Sequence, residues 1–236
     1  MNSRWSKWGV LYMLWGTSHD HLLERSIASL KLYHPDLPIQ VHRVQTTSHE
    51  ESMSHAMLLE KSRMLAISPF ENTLFLDADT MVMGRLDFAL EKAERYGLAC
   101  CICECPWAQR YTGLKHENDL IEYNTGVLFF TRLAEPVFYC WEKLARTIDS
   151  SIYHVKDGVP SVMHHNDQAS FAKAVDMTGY NPFILPFNWN FRAFCQRTFF
   201  GPIRIWHDIS APPRELYELN RYYTQPDALM HHYSLD

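Results

Sequence analysis

Two aspartates, Asp77 and Asp79, interrupt the apolar run that spans residues 74–82. In an extended backbone, residues i and i+2 point to the same side, so these two carboxylates can converge on one point. Like charges held together repel each other unless a cation lies between them. Mg²⁺ and Mn²⁺ prefer oxygen ligands and often bind substrate phosphates as well. The pair therefore predicts a divalent-metal site, and the alternative is a strand-end turn with two solvated carboxylates.

The segment before the pair alternates between strand and helix patterns, which is typical of a parallel sheet covered by helices. In such open sheets, ligands bind outside the carboxyl ends of the strands. Asp77 and Asp79 follow the third predicted strand directly, so we expect them at this edge. The predicted elements are a strand at 8–15, a helix from Asp20, a strand at 39–44, a helix at 57–67 and a strand at 73–76.

The rest of the chain continues with both patterns, and its 236 residues suit one domain. We expect a single α/β domain over 1–236 with a mostly parallel sheet flanked by helices. The further predicted helices are 86–96, 135–148 and 167–175, and the further strands are 97–104 and 123–131. Apolar or alternating runs also lie at 181–186, at 202–206 and near 228–233.

Composition excludes some classes of protein. The net charge of −5 and the pI near 6.2 argue against a nucleic-acid-binding protein, which usually needs a basic face. No apolar run approaches the roughly 20 residues that span a bilayer. The first apolar run, residues 9–15, is short and no small-residue cleavage site follows it. We therefore expect no transmembrane segment and a cytoplasmic location.

Four of the six cysteines are crowded into residues 100–105. Cys101, Cys103 and Cys105 would share one face of a strand, which raises the question of a thiolate metal site. The usual zinc spacing, two residues between cysteines and a matching second pair, is missing. The pattern favours reduced, buried cysteines in a strand.

Residues 75–80, Phe-Leu-Asp-Ala-Asp-Thr, resemble the Asp-x-Asp motif of GT-A-type glycosyltransferases, most closely the glycogenin and galactosyltransferase-like family (glycosyltransferase family 8). Other segments are similar to motifs of that family and follow in its order, so that the resemblance covers residues 8 to about 210. These segments are Asn124-Thr125-Gly126, Asp167-Gln168, the Leu-Pro-Phe-Asn-Trp-Asn run at 185–190, and His207.

The resemblance implies a GT-A (Rossmann-like) fold and the transfer of a sugar from a nucleotide-diphosphate sugar, a UDP-sugar, to a hydroxyl of a sugar, protein or lipid acceptor. It implies Mn²⁺ or Mg²⁺ as the cofactor, held by Asp77, Asp79 and His207, and Asp167 with Gln168 as the catalytic pair. The aromatic loop at 106–113 is the candidate for acceptor binding. The implied donor-binding residues are Lys61, Asp77, Ala78, Asp79, Asn124, Thr125, Gly126 and Asn188.

Several assignments have alternatives. Lys61 lies on an amphipathic helix and is equally consistent with a solvated position, and His231 or His232 competes with His207 as the metal ligand. Asp167 is either a base for the acceptor hydroxyl or a binder of sugar hydroxyls. Asn166, directly before Asp167, is of the residue type that caps the start of a helix, here the helix predicted at 167–175.

The chain departs from the family after His207, where the glycine and the Lys-Pro-Trp run are missing. Lys61, Arg204 or Arg214 would then have to supply the missing positive charge at the diphosphate.

Two other classes of protein remain. The Asp-x-Asp sequence also opens the motif of haloacid-dehalogenase-like phosphatases, in which the first aspartate is a nucleophile. Those chains normally begin with that strand and carry a later Gly-Asp motif, whereas here two strand–helix units come first and no Gly-Asp dipeptide occurs. A non-catalytic nucleotide-sugar-binding protein is the second alternative.

Overall fold

The computed structural model describes residues 4–44, 53–105, 107, 110–111 and 120–235. Of the predicted acceptor loop, Pro106, Ala108, Gln109 and 112–113 lie outside the described residues. The strands are β1 Trp8–Trp15, β2 Ile39–Val44, β3 Asn72–Leu76, β4 Thr80–Val82, β5 Leu98–Ile102, β6 Tyr123–Thr131, β7 Ile152–Lys156, β8 Val159–Met163, β9 Phe183–Ile184, β10 Thr198–Phe200, β11 Ile205–His207 and β12 His232–Ser234. The α-helices are α1 Asp20–Tyr33, α2 Met53–Ser62, α3 Met64–Ile67, α4 Asp87–Tyr96, α5 Glu135–Ala145, α6 Asp167–Thr178 and α7 Arg214–Tyr222.

A six-stranded sheet with the order β2-β1-β3-β6-β5-β9 forms the centre of the molecule. The β1 strand pairs in parallel with β2 and β3, and β5 pairs in parallel with β9. The β6 strand is antiparallel to both of its neighbours, β3 and β5. Five strands therefore share one direction, which confirms the predicted mostly parallel α/β sheet, while the reversal of β6 was not predicted.

The reversal of β6 determines where the site forms. Because β6 runs against β3, its first residues lie beside the carboxyl end of β3, with Leu76 opposite Val127. The backbone N–H of Asp77 donates to the carbonyl of Gly126 at 2.8 Å, which extends this pairing one residue beyond β3. The Asp77 and 124–126 segments are thus neighbours at one edge of the sheet.

Helices cover both faces of the sheet, and this explains why β1 is an uninterrupted apolar run. Val10 and Tyr12 pack in the core that α1 and α4 cover, whereas Leu11 and Met13 pack in the core beneath α2, α3, α5 and α6. Among the described residues, no helix is long and apolar enough to cross a membrane.

The helix predicted at 57–67 is two helices in the structure. The N–H of Arg63 bonds to the carbonyl of Glu60, three residues back, and this tighter turn separates α2 from α3. Helix α6 runs to Thr178, beyond the predicted end at residue 175. It ends there because Gly179 adopts the left-handed conformation (φ 61°) that terminates a helix.

The hairpin β7–β8 was not predicted. Its turn is Asp157-Gly158, with φ of 53° and 78°, the positive values that a two-residue hairpin turn requires. An Asp-Gly dipeptide between two runs of alternating residues is the signal that would have identified it. The hairpin leads directly into the segment that precedes Asp167.

The predicted burial of the cysteines holds for Cys100, Cys101 and Cys103, and burial raises the pKa of the Cys103 thiol to about 11. Cys105 is half-buried, and its Sγ lies 3.2 Å from the Sγ of Cys195, both as free thiols.

Candidate functional site

The two aspartates and His207 converge at the carboxyl edge of the sheet. Asp77 follows β3, and β4 then pairs antiparallel with β11, so that His207 lies opposite Thr80. The Nε2 atom of His207 is 3.3 Å from Asp79 Oδ1 and 3.8 Å from Asp77 Oδ2. Within the part of the chain that the structure describes, no other group of three His, Cys, Asp or Glu side chains comes as close together.

The competing histidines lie elsewhere. His231 contacts Tyr222, and His232 lies in β12, where its ring stacks on Phe200. The structure therefore places His207, and neither of these two, beside the carboxylates.

Gly126 leaves the space in which His207 and Asp77 meet. A Cβ atom added at this position would collide with Cε1 of His207 and would lie 2.6 Å from Asp77 Oδ2. Its φ is not positive, so glycine is needed here for space and not for backbone conformation.

Lys61 is not a solvated residue, because its side chain is only 12% exposed. Its Nζ lies 3.1 Å from Asp77 Oδ1 and 2.7 Å from Asp167 Oδ2. Burial alone would lower the pKa of Lys61, but the carboxylates of Asp167 and Asp77 outweigh it and raise that pKa above its ordinary value. Lys61 is thus a fixed positive charge between two carboxylates.

The three carboxyl groups have different electrostatic environments. Burial raises the pKa of Asp77 despite the nearby charges of Lys61 and His207. Burial alone would also raise the pKa of Asp79 and of Asp167. His207 outweighs this effect at Asp79, and Lys61 together with Thr125 outweighs it at Asp167, so the pKa of each group is lowered. A cation bound beside Asp77 would favour its ionised form.

Asp167 begins α6 and points at the strand that carries Thr125, whose hydroxyl donates to Asp167 Oδ2 at 2.7 Å. Asn166 caps this helix, as its type predicts, since its Oδ1 accepts from the N–H of Gln168 at 2.8 Å.

Gln168 itself is buried, and its Nε2 donates to Glu122 Oε1 at 2.9 Å. Tyr111 donates to the same Glu122 oxygen at 2.6 Å, and its hydroxyl oxygen lies 3.0 Å from Asn166 Oδ1. Glu122 was not predicted, because no local pattern marks it, whereas Tyr111 belongs to the loop at 106–113 that was predicted to bind the acceptor.

The Asn-Trp-Asn run at 188–190 places its two asparagines differently. The amide of Asn188 donates to the carbonyls of Phe200 and Pro202, at 2.7 and 2.9 Å. Asn190 is 1% exposed, and its Oδ1 lies 2.7 Å from Nδ1 of His207. Sequence reasoning selected Asn188 and missed Asn190, although both lie in the same motif.

Two cavities border the carboxylates. The larger, of about 380 Å³, contains Ala78 and Asp79 and is walled mainly by apolar residues from the end of β1 and the start of α1. The smaller, of about 170 Å³, contains Lys61, Asp77, His165 and Asp167. The two share Met13, Met57 and Asp77, so they lie side by side. A bigger cavity of about 670 Å³ between α7 and β12 contains none of the predicted site residues.

A divalent metal ion fits the cluster of Asp77, Asp79 and His207. Adjacent ligand atoms about 2.1 Å from an octahedral Mg²⁺ are about 3 Å apart. The Nε2 atom of His207 lies 3.3 and 3.8 Å from the two carboxylates, so a small inward shift of these side chains would bring all three into range. Two carboxylates and one imidazole are suitable donors for Mn²⁺ or Mg²⁺. Glycine at position 126 lets His207 and Asp77 approach each other closely enough to share one ion.

Neither a protein-family model nor a curated protein sequence matches the chain. Solved structures do match. Mouse xyloside xylosyltransferase 1, in its apo form, matches with a TM-score of 0.60 and 13% identity over 87% of this chain and 99% of that one. The galactosyltransferase LgtC in complex with donor and acceptor sugar analogues has a TM-score of 0.54 and 13% identity, over 86% and 87% of the two chains.

A glycosyltransferase involved in the glycosylation of the major capsid of PBCV-1 matches with a TM-score of 0.50 and 12% identity, over 91% of this chain and 98% of that one. At these identities the likeness concerns the fold. The chain has the fold of the GT-A glycosyltransferases.

Proposed function

We propose that this protein is a metal-dependent glycosyltransferase that moves a sugar from a nucleotide-diphosphate sugar, a UDP-sugar, to an acceptor hydroxyl. The observation that carries the proposal is the convergence of Asp77, Asp79 and His207 at the carboxyl edge of a GT-A sheet, beside a cavity of about 380 Å³. Mn²⁺ or Mg²⁺ bound there would neutralise the charge that develops on the departing diphosphate.

The nucleoside fits the larger cavity. Leu14, Trp15 and Leu22 supply apolar and aromatic surface for a base, and Ala78 leaves room beside the carboxylates. The guanidinium of Arg25 donates to the carbonyls of Asp208 and Ile209, at 2.9 and 2.8 Å, and so holds the wall that Ile209 contributes. The diphosphate would then lie at Asp77 and Asp79, where the two cavities meet.

The donor sugar would occupy the smaller cavity, where Lys61 and Asp167 are exposed to it. A general base works best when its pKa is near the operating pH. Lys61 and Thr125 instead hold the pKa of Asp167 below its ordinary value. This favours the second alternative from the sequence, in which Asp167 binds sugar hydroxyls.

Gln168 follows Asp167 in the chain. In this proposal it contributes through its hydrogen bond to Glu122. The acceptor would approach from the side of Tyr111, which touches Asn166 at the start of α6. Of the candidates for the positive charge missing after His207, Lys61 lies at the site, whereas Arg214 lies exposed at the start of α7.

The test is thermal unfolding with Mn²⁺ or Mg²⁺ and a panel of nucleotides, followed by donor hydrolysis with UDP-glucose, UDP-galactose, UDP-N-acetylglucosamine and GDP sugars. We expect UDP to raise the Tm only when a divalent ion is present, and one UDP-sugar to be hydrolysed faster than the others. Asp79→Asn should remove the metal-dependent shift. The matched control is Asp208→Asn, next to His207, because the Asp208 carboxylate bonds to the N–H of Ser210 and lies outside the cluster.

Absence of any shift with UDP and Mn²⁺, together with hydrolysis of p-nitrophenyl phosphate, would support the phosphatase and contradict the transferase. Metal-dependent UDP binding without hydrolysis or transfer for any donor would instead support the non-catalytic binding protein.

A further inference from the structure

We propose that Asn190 is a positioning residue for the metal site: it fixes which nitrogen of His207 carries the proton and turns the other toward the cation. This inference rests on the proposed metal site and names a residue that the sequence motifs did not assign. Its evidence is a hydrogen-bond chain that begins at a backbone amide and ends at the imidazole.

The first donor in this series of hydrogen bonds is a backbone N–H, so its identity is certain. The backbone N–H of Gly126 donates to one side-chain atom of Asn124 at 2.9 Å. A backbone N–H cannot accept, so that atom of Asn124 must be the carbonyl oxygen, Oδ1. The orientation of the Asn124 amide is therefore determined by chemistry.

The orientation of Asn190 follows from that of Asn124. The same Oδ1 atom accepts a second hydrogen bond from Asn190 at 2.8 Å, so the Asn190 atom that faces it must be the amide nitrogen, Nδ2. The other end of the Asn190 amide is then the oxygen, and it lies 2.7 Å from Nδ1 of His207.

An amide oxygen only accepts, so Nδ1 of His207 must be the donor. The remaining nitrogen, Nε2, faces Asp79 and Asp77 and can present a lone pair to a metal ion. Partners of this kind orient the ring and raise the basicity of a metal-bound histidine, and their loss typically lowers metal affinity or activity by about 10- to 100-fold.

Burial makes these hydrogen bonds selective for one arrangement of the side chains. Asn124 and Asn190 are 5% and 1% exposed, so water does not readily replace either amide. If Asn190 were rotated, its Nδ2 would face the Nδ1–H of His207 and its Oδ1 would face the Oδ1 of Asn124. Both contacts would be repulsive, which stabilises one orientation of the amide and one tautomer of the imidazole.

The experiment is calorimetric titration of the protein with MnCl₂ alone, with no nucleotide. We expect Asn190→Leu to weaken Mn²⁺ binding by about 10- to 100-fold. The control is Asn220→Leu, which removes an amide that bonds to the carbonyls of Met83 and Ile203 and should leave Mn²⁺ affinity unchanged.

A second measurement reads the proton itself. In the Mg²⁺-bound wild type, imidazole ¹H–¹⁵N spectra should show a slowly exchanging proton on Nδ1 of His207, and Asn190→Leu should lose it. Equal Mn²⁺ affinity in the wild type and Asn190→Leu would overturn the inference and leave the proposed function standing. A loss of Mn²⁺ affinity in Asn190→Leu with the Nδ1 proton of His207 retained would also overturn it. No Mn²⁺ binding by the wild type would overturn both, whereas normal metal binding without sugar transfer would remove the proposed function alone.

Discussion

The ammonium nitrogen of Lys61 lies 2.7 Å from the carboxylate of Asp167, and these two residues come from different helices, α2 and α6. The same nitrogen lies 3.1 Å from Asp77. The Lys61 ammonium therefore connects the first carboxylate of the proposed metal site with the carboxylate proposed to face the sugar.

Replacing Lys61 with methionine keeps the apolar stem and removes the charge. Two partly buried carboxylates then lose their cation, and breaking a buried pair costs about 3 kcal/mol. We expect Lys61→Met to lower the free energy of unfolding by this amount, measured by urea denaturation without metal. The control is Lys7→Met, whose ion pair with Glu71 is exposed and should contribute little. Equal effects of the two substitutions would contradict the buried role of Lys61.

Acid should weaken the wild type through Asp167. The pKa of this group is lower in the folded protein than in the unfolded chain, so its contribution to stability is complete above the ordinary aspartate value of about 4 and is lost as the pH falls through the folded value. Asp167→Asn should therefore be less stable than the wild type near neutral pH, and the difference should shrink on acidification. Urea unfolding followed by circular dichroism from about pH 7 to pH 3 measures this. A constant difference across that range would show that Asp167 does not act through its charge.

Gly126→Ala should remove metal binding with little change in the sheet. The added methyl group would collide with His207 and with Asp77, the residues that converge on the proposed ion. Calorimetric titration with Mn²⁺ should show at least a tenfold loss, of the size that misplaced metal ligands produce. Gly84→Ala is the control, because its methyl group would meet only the mobile end of Arg204. Unchanged Mn²⁺ affinity in Gly126→Ala would contradict the geometry of the cluster.

A large side chain at the rim of the larger cavity should separate nucleotide binding from metal binding. Ser18 lines this cavity and is exposed, so Ser18→Trp should obstruct the nucleoside and weaken UDP binding by about tenfold or more, which corresponds to 1.4 kcal/mol. Mn²⁺ binding should stay unchanged. Thr17→Trp makes the same change one residue away, outside the cavity lining. If UDP bound equally well to both variants, the nucleoside would not occupy this cavity.

Cys105 and Cys195 should form a disulfide when the protein is treated with glutathione disulfide. Their sulfur atoms are 3.2 Å apart, so closing to a bond of about 2 Å needs a small movement. The two thiols give up two electrons and two protons, and one glutathione disulfide becomes two glutathiones. Peptide mapping without reductant should find the 105–195 link. Cys140, on α5, is the reference thiol and should give only the mixed disulfide.

The sequence identified those features that depend on residue type and spacing. The run of β1 is apolar because helices cover both faces of the sheet, and the Asp77–Asp79 pair follows a buried strand as its spacing predicts. The predicted strand at 123–131 matches β6 in full. An apolar run does not reveal strand direction, however, so the reversal of β6 was found only in the structure.

Asn188 and Asn190 show a second limit of sequence reasoning. They have the same side chain and lie two residues apart, yet one holds the backbone at Phe200 and Pro202 and the other faces His207. A short 3₁₀ turn at Phe187–Trp189 lies between them, and the extended-strand rule that two such residues point to the same side does not hold there. No local pattern distinguishes the two roles.

The antiparallel course of β6 has a consequence for how the protein can change during evolution. The chain leaves β5 and enters β6 at the same edge of the sheet, so the segment between Ile102 and Tyr123 begins and ends beside the site. Its length and sequence can vary without shifting the register of β5 with β6 or of β6 with β3. Selection could therefore change this connection while Asp77, Asp79 and His207 stay in place, so that the one proposed site could come to serve different acceptors.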